Sequence, residues 1–311
     1  MSLWPNRTMK TQFTIIIPTY NYENLLPNAI ESVIAQNHPH KLIIIDDGST
    51  DNTKELIQQY QNKHENITYA CQANAGPGAA RNHGIKLAQG EYLLFLDADD
   101  YLEPGALNAF ANHLKQDKTS NMIIGASQHI RQNKPKKIHM PGAFSKTPEE
   151  NFINGIRGKL KMPTGSYVIH RSVFEKFNYP EQVKHCEDGM LLSHILANFP
   201  VCSINDVVVN IRKHDTSLRH QISSNAKAGL DVVDILFNPD CLPAAFFKYK
   251  NEYISYRCLD LFRSFLNAGN FATARKYYHQ AIRTFPKHLL KWPYLKKYLR
   301  GWLTNLKPVI A

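Results

Sequence analysis

The first hundred residues alternate between short apolar runs and segments with helical spacing. The apolar runs are continuous rather than alternating and rich in Ile and Leu, which is typical of strands buried on both faces. Strands are predicted at residues 13–17, 41–45, 67–71 and 92–96, and helices at residues 24–36, 51–63 and 78–89. This alternation indicates a parallel sheet with helices on both sides.

Beyond residue 100 the pattern becomes less regular. Further strands are predicted at residues 122–124, 166–169 and 207–209, and an apolar helix at residues 189–198. From about residue 225 every periodic segment is helical, including residues 271–285, which we expect to form one half of a helical pair. The chain is therefore interpreted as an α/β domain over residues 1–220 and a helical C-terminal extension over residues 221–311.

The positive charge is concentrated in the C-terminal extension. The chain of 311 residues is 43% hydrophobic and 20% charged, which fits a globular protein, and its net charge is +11. From residue 247 onward there are 13 Lys and Arg against Glu252 and Asp260, which gives 13 − 2 = +11. The first 246 residues are therefore neutral, and the basic character is a property of the tail.

Cysteine usage and hydropathy favour a reducing compartment. The five cysteines are Cys71, Cys186, Cys202, Cys241 and Cys258. Their number is odd and no CxxC pair occurs, which argues against a disulfide framework or a zinc site. No apolar run suits a signal peptide or approaches the roughly 20 residues of a membrane span. We therefore expect a cytoplasmic protein.

Three carboxylates follow the fourth predicted strand. Asp97, Asp99 and Asp100 stand where this strand must leave the sheet, and grouping like charges requires a cation or contact with water. Mg²⁺ prefers oxygen ligands and usually takes one or two carboxylates together with substrate phosphates. A solvated acidic turn is the alternative for an isolated Asp-x-Asp. The polar motifs at residues 18–21 and 46–49 also follow strands, so we expect all three to meet at one crevice.

Five segments, in this order and spacing, resemble the family 2 glycosyltransferases with the GT-A fold. They are IIIPTYN at residues 15–21, IDDGSTD at 45–51, NAG at 74–76, ARNHG at 80–84 and GEYLLFLDADD at 90–100. The resemblance implies a Rossmann-like, mostly parallel sheet flanked by helices. It also implies an enzyme that transfers a sugar, with inversion, from a UDP-sugar to a hydroxyl of a cell-surface glycan or lipid-linked oligosaccharide. The C-terminal extension lies outside the resemblance.

The resemblance assigns the nucleotide-sugar contacts to the strand ends. Asp47 matches the acid that accepts a hydrogen bond from the base, and a carboxylate suits the imide N–H of uracil; turn formation and helix capping are the alternative role. Arg81 matches an arginine that contacts the nucleotide, as a guanidinium can bind phosphate oxygens bidentately. The expected nucleotide-sugar ligands are Pro18, Thr19, Tyr20, Asn21, Asp46, Asp47, Asn74, Gly76, Arg81, Asp97 and Ala98.

The same resemblance supplies a metal site and a general base. Asp99 and Asp97 would hold Mg²⁺ or Mn²⁺, with His214 as a further candidate ligand. An inverting transfer needs a base for the acceptor hydroxyl, and Asp188 matches it, with Glu187 as second candidate. Capping of the following helix is the other role open to these acids. The arginine that the family carries about four residues further on is missing.

The role of the C-terminal tail stays open, and so do some alternative functions of the chain. A helix at residues 294–306 would place Tyr, Leu and Trp on one half and Lys and Arg on the other. Such a helix suits an anionic membrane surface or packing against the catalytic domain. A dinucleotide-dependent oxidoreductase is disfavoured, because the glycines at residues 76–78 follow the third strand and not the first. A catalytically inactive relative and a nucleic-acid-binding protein are weaker alternatives, and no nucleic acid partner is expected.

Overall fold

Nine strands of the described chain form one mixed β-sheet. The computed structural model describes residues 13–131, 135–183, 186–213 and 228–304, with side chains as far as residue 300. The strands are β1 (Phe13–Thr19), β2 (His40–Asp46), β3 (Ile67–Cys71), β4 (Tyr92–Phe95), β5 (Tyr101–Leu102), β6 (Met122–Arg131), β7 (Lys137–His139), β8 (Tyr167–His170) and β9 (Val201–Lys213). Their order is β3-β2-β1-β4-β8-β6-β9-β5, with β7 paired to the second half of β6.

The sheet is parallel in its first half and mixed in its second. Strands β3, β2, β1 and β4 run parallel, as the sequence pattern predicts. Strand β8 is antiparallel to both β4 and β6, whereas β9 is parallel to β6 and β5 is antiparallel to β9. The polar motifs near the N-terminus therefore follow neighbouring strands that point the same way.

Ten α-helices accompany the sheet in the described ranges. They are α1 (Leu26–Ile34), α2 (Thr53–Gln61), α3 (Pro77–Leu87), α4 (Ala106–Gln116), α5 (Pro148–Ile156), α6 (Glu187–Asn198), α7 (Asp231–Leu236), α8 (Lys250–Asn267), α9 (Phe271–Thr284) and α10 (Trp292–Thr304). The sequence pattern predicted α1 to α3, α6, α9 and α10 to within two residues at most ends, and did not predict α4 or α5. No described helix is both long and apolar enough to cross a membrane.

Packing divides the chain into two compact units, each assembled from several segments. Within the described ranges, unit 1 takes its chain from residues 13–144, 161–181 and 199–213, and unit 2 from residues 145–160, 182–198 and 228–304. Unit 1 holds the whole sheet, and unit 2 holds α5 and α6 together with the C-terminal helices. The predicted domain boundary near residue 220 stays a prediction, and it differs from this interleaved grouping.

The core of unit 1 forms because the apolar strands are enclosed on both faces. Phe13, Ile15 and Ile17 of β1 have no exposed surface, and the intervening Ile16 is equally buried. Helix α1 is amphipathic, and its buried residues Leu26, Ala29, Ile30 and Val33 join the same core. Continuous burial of a strand on both faces explains the unbroken apolar runs in the sequence.

Unit 2 is built around the helical pair predicted from residue 271 onward. Helices α8 and α9 bury Cys258, Leu259, Phe262, Ala274, Tyr278 and Ala281 between them. Helix α10 packs on this cluster through Tyr294, Leu295 and Tyr298, and the Tyr298 ring stacks on Tyr278 at 4.3 Å. Part of the aromatic side of α10 is therefore occupied within unit 2.

Helix α3 approaches β1 closely at one glycine. A Cβ added to Gly84 would lie 2.5 Å from Cγ2 of Ile16, a buried β-branched side chain in the strand. Such a contact requires the helix or the strand to shift. The glycine therefore sets the distance between α3 and the sheet.

We expect Gly84→Ala to lower the free energy of unfolding by about 1–3 kcal/mol, because overpacking forces a backbone or side-chain shift. Denaturant unfolding measures this value. Gly189→Ala is the matched control: Gly189 is also helical, and an added Cβ there would meet nothing within 4 Å. The control is expected to match or slightly exceed wild type. Equal stabilities for the two variants would contradict the packing argument.

Candidate functional site

The candidate site lies at the carboxyl ends of β1, β2 and β4. Thr19 at the end of β1 pairs with Asp46 at the end of β2, and Ile16 pairs with Phe95 at the end of β4. The Asp47 N–H donates to the Thr19 carbonyl at 2.9 Å. The three polar motifs are thereby brought to one edge of the sheet in unit 1, as the sequence predicts.

Hydrogen bonds lock together the loops that follow β1 and β2. Asn21 has a φ of 55°, a left-handed conformation that asparagine tolerates better than most residues. Its N–H donates to Ser49 Oγ at 2.9 Å, and its Oδ1 accepts the Thr50 N–H at 2.7 Å. Thr19 is buried at the base of this loop, whereas Tyr20 is 44% exposed.

Asp47 holds the loop between β3 and α3. Its Oδ1 accepts the Ala75 N–H at 2.9 Å and the Gln72 side-chain amide at 2.8 Å, and its Oδ2 accepts the Gly76 N–H at 2.8 Å. Asp47 is only 4% exposed, so these charge-assisted bonds are made away from bulk water. The loop that contains Asn74 and Gly76 is consequently fixed to the end of β2.

Asp46 and Gly48 complete this arrangement. Asp46 caps the following turn, because its Oδ1 accepts the Ser49 N–H at 2.8 Å and its Oδ2 accepts the Tyr69 hydroxyl at 3.1 Å. Burial, together with the Asp46 charge, raises the pKa of Tyr69. Gly48 has a φ of +80°, and a Cβ there would lie 3.1 Å from the Asn74 nitrogen. Only glycine suits this position, where two loops meet.

Three carboxylates converge just beyond β4, and we call Asp97, Asp99 and Asp100 the acidic cluster. One carboxylate oxygen from each residue lies within 4.8 Å of the corresponding oxygens of the other two. Asp100 is buried and its Oδ1 accepts the Arg212 N–H at 2.8 Å, whereas Asp97 and Asp99 are half-buried. An all-oxygen donor set of this kind fits a hard divalent cation such as Mg²⁺ or Mn²⁺.

Arg81 of α3 lies against the acidic cluster. It is 4% exposed, and its Nη2 lies 2.9 Å from Asp97 Oδ1. Its guanidinium also lies over the Tyr179 ring, 5.3 Å from the centroid. Asn82 holds that tyrosine through bonds to its carbonyl and N–H at 2.9 and 3.0 Å. The predicted nucleotide arginine is therefore oriented by an ion pair and an aromatic ring.

Two residues beside the acidic cluster were not predicted from the sequence. Burial and the carboxylates of the cluster raise the pKa of the Tyr22 phenol to about 12, so it stays protonated at neutral pH. The guanidinium of Arg212, near the end of β9, lies over the Tyr101 ring at 5.2 Å, and the backbone N–H of Arg212 donates to Asp100. Tyr22 follows Asn21 directly, and this adjacency was the available signal. The predicted ligand His214 lies outside the described residues.

The candidate base residues belong to unit 2. Glu187 and Asp188 form the first turn of α6, where the helix dipole favours a negative charge. Glu187 is 4% exposed, whereas Asp188 is half-buried. Helix α6 buries Met190, Leu191 and Ile195, which explains the apolar run that follows the two acids.

Comparisons with known proteins bear on the family and the fold. The family model described as Glycosyl transferase family 2 matches residues 14–177. A poly(ribitol-phosphate) beta-glucosyltransferase of Bacillus spizizenii is 32% identical over 187 residues, which are 57% of this chain and 28% of that protein. The chain thus spans about a third or less of the length of the first curated relatives that it matches.

Two solved structures share the fold. TarS 1–349 of S. aureus in complex with UDP-GlcNAc has a TM-score of 0.59 and 18% identity, and the match covers 89% of this chain and 92% of that one. The mannosyltransferase PcManGT of Pyrobaculum calidifontis, in complex with GDP-Man and Mn²⁺, has a TM-score of 0.59 and 17% identity over 96% and 88%. The GT-A fold class expected from the sequence is confirmed.

We expect Asp47→Asn to lower the free energy of unfolding by about 1–3 kcal/mol. The side-chain NH₂ of asparagine cannot accept a hydrogen bond from the N–H groups that now donate to the carboxylate, and the negative charge that strengthens these bonds is lost. Urea unfolding provides the measurement. Gln72→Ala removes one of the three bonds without changing the charge and should cost less than the Asp47 variant. A wild-type unfolding midpoint for Asp47→Asn would show that this carboxylate does not fix the loop.

Proposed function

The chain belongs to glycosyl transferase family 2, and on that premise we propose that it transfers a sugar from a UDP-sugar to a hydroxyl of a cell-surface glycan or lipid-linked oligosaccharide. The observation that carries this proposal is the acidic cluster, which lies beside Arg81 at the end of a parallel strand. The donor is supported by the UDP-GlcNAc in the TarS structure. The acceptor class is supported by the poly(ribitol-phosphate) relative.

The uracil ring would lie between Tyr20 and the loop that Asp47 holds. Oδ2 of Asp47 accepts one hydrogen bond within the described residues, and a carboxylate oxygen can accept about two. The second hydrogen bond to Oδ2 could come from the imide N–H of uracil, a donor that cytosine lacks. Thr19 ends β1, and Asn74 and Gly76 lie in the loop between β3 and α3. These three residues would contact the rest of the nucleotide.

The donor diphosphate would meet the acidic cluster through a divalent cation. Asp97 and Asp99 would hold Mg²⁺ or Mn²⁺, with His214 as a further predicted ligand. When bound, the cation supplies a Lewis acid that neutralises the charge of the departing diphosphate. Arg81 adds a fixed positive charge, and Tyr22 remains a neutral phenol able to donate a hydrogen bond.

Asp188 is the proposed general base, and Glu187 is the second candidate. The acceptor oxygen forms a bond to the anomeric carbon as the bond to the diphosphate breaks, so the configuration inverts in one step. The acceptor proton passes to the carboxylate of Asp188. Partial exposure favours Asp188 over the buried Glu187 for this role.

We also propose that residues 287–292, which lead into α10, rest on an anionic membrane at the cytoplasmic face. Leu290 is 85% exposed, Trp292 is 62% exposed and Leu289 is 47% exposed, next to Lys287 and Lys291. Exposed apolar side chains next to cations fit the headgroup region of an anionic bilayer. The apolar surface is thus near the start of α10, and not along the packed side with Tyr294 and Tyr298.

The donor site is tested by titrating UDP into the protein with Mn²⁺ in a calorimeter. Asp99→Asn should weaken the metal-dependent binding at least about tenfold, because even an outer-shell change costs about 10–100-fold in metal affinity. Asp188→Asn should bind UDP like wild type but lose sugar transfer. Asp206→Asn, an exposed acid of unit 1, is the control and should change neither.

Three results would each contradict one part of the proposal. Metal-independent UDP binding that Asp99→Asn leaves unchanged would exclude the acidic cluster as the metal site. UDP binding without release of UDP from any of a panel of UDP-sugars, at high enzyme concentration, would indicate a catalytically inactive relative. Equal binding of UDP and CDP would remove the base-reading role of Asp47.

Membrane contact is tested by sedimentation with phosphatidylglycerol vesicles. Trp292→Glu combined with Leu290→Glu should lower the bound fraction, with at least a tenfold weaker partition constant, since burying such a side chain contributes about 1.5–3 kcal/mol. Leu87→Glu is the matched control, because Leu87 is 40% exposed on α3. Equal sedimentation of all three proteins would exclude this surface as the contact.

A further inference from the structure

A second group of metal-binding side chains lies between α4 and β9, away from the acidic cluster. His113 stands in the last turn of α4, Asp117 follows the helix, and Cys202 is the second residue of β9. His113 Nε2 lies 3.1 Å from Cys202 Sγ and 3.9 Å from Asp117 Oδ2. One donor atom from each residue falls within 4.8 Å of the other two.

The two distances from His113 lie close to the edge lengths of a coordination tetrahedron. Zinc bonds to nitrogen, oxygen and sulfur are about 2.0–2.3 Å long, so donors around one tetrahedral ion lie about 3.3–3.7 Å apart. The distances of 3.1 and 3.9 Å lie on either side of this range. The donor atoms of Asp117 and Cys202 lie within 4.8 Å of each other, so these two side chains would move closer by about 1 Å or less for one ion to bond to all three.

The donor chemistry selects a different ion from the one expected at the acidic cluster. One imidazole, one thiolate and one carboxylate form a borderline-soft set that suits Zn²⁺, whereas the oxygens of the acidic cluster suit Mg²⁺ or Mn²⁺. We propose that His113, Asp117 and Cys202 form a zinc site, with a water molecule as the fourth ligand. The Cys202 thiol releases its proton to solvent when the ion binds.

The surroundings of Asp117 support this assignment. Its Oδ1 accepts the N–H and hydroxyl of Thr119 at 2.8 and 2.6 Å, and its Oδ2 accepts the Ser120 hydroxyl at 3.2 Å. Such outer bonds orient a ligating carboxylate. The same two residues, Thr119 and Ser120, line part of a cavity of about 240 Å³.

Hydrogen bonding alone is the competing explanation. A thiol that donates to His113 Nε2 and an Asp117 that only caps the turn would produce the same contacts without a metal. The two explanations differ in one observable, which is a metal–sulfur bond. Zinc bound here would also tie the end of α4 to the start of β9 and stabilise unit 1.

The experiment is a titration of the metal-free full chain with Co²⁺, a spectroscopic substitute for Zn²⁺. Wild type should develop a thiolate-to-cobalt charge-transfer band with one equivalent, and Zn²⁺ should abolish it. Cys202→Ser should lack the band, and His113→Gln should weaken cobalt binding at least about tenfold. Cys71→Ser, which removes an exposed cysteine of β3, and Asp99→Asn should both keep it.

A wild-type protein without the charge-transfer band, or a band that persists in Cys202→Ser, would overturn the proposal. Thermal unfolding gives a second readout: Zn²⁺ should raise the Tm of wild type and Asp99→Asn, and should leave that of Cys202→Ser and His113→Gln unchanged. An equal rise in all four proteins would place the zinc elsewhere and would likewise exclude this site. Neither readout depends on sugar transfer.

Discussion

Concentration of negative charge at the end of β4 is the constraint on which the site depends. Three carboxylates within 4.8 Å of one another repel, and the fold offsets part of this repulsion with the Arg81 guanidinium and the Arg212 backbone N–H. Both partners come from other elements, α3 and β9, so the acidic cluster is stable only in the folded sheet. The remaining negative charge would bind a divalent cation, and the cation would in turn bind the donor diphosphate.

The loops near this cluster are held in place because the carboxylates of Asp46 and Asp47 accept hydrogen bonds from backbone N–H groups. Asp47 accepts two N–H groups from the loop before α3, and Asp46 accepts one from the turn before α2. A nucleotide would therefore meet preorganised groups and would not need to order them, which reduces the entropic cost of binding. Gly48 and Asn21 allow this because each adopts a left-handed backbone conformation.

The two candidate cation sites differ in chemistry and in what they could do for the protein. The acidic cluster offers oxygens at the edge of the sheet where ligands bind in α/β proteins. The site of His113, Asp117 and Cys202 offers nitrogen, oxygen and sulfur between a helix and a strand, where an ion would act on stability. Unit 2 carries the candidate base at the start of α6, and its exposed apolar residues are next to lysines.

The sequence by itself determined the first four strands, the helices between them, the family and the residues at the strand ends. Short-range apolar patterns specify buried strands, and motifs such as the Asp-Ala-Asp at residues 97–99 are contiguous in the chain. Tertiary structure alone decided the reversed β8, the grouping of α6 with the C-terminal helices, and the contacts of Tyr22, Arg212 and Cys202. Those features join residues far apart in sequence, and such pairing depends on the packing of the whole chain, which no local pattern records.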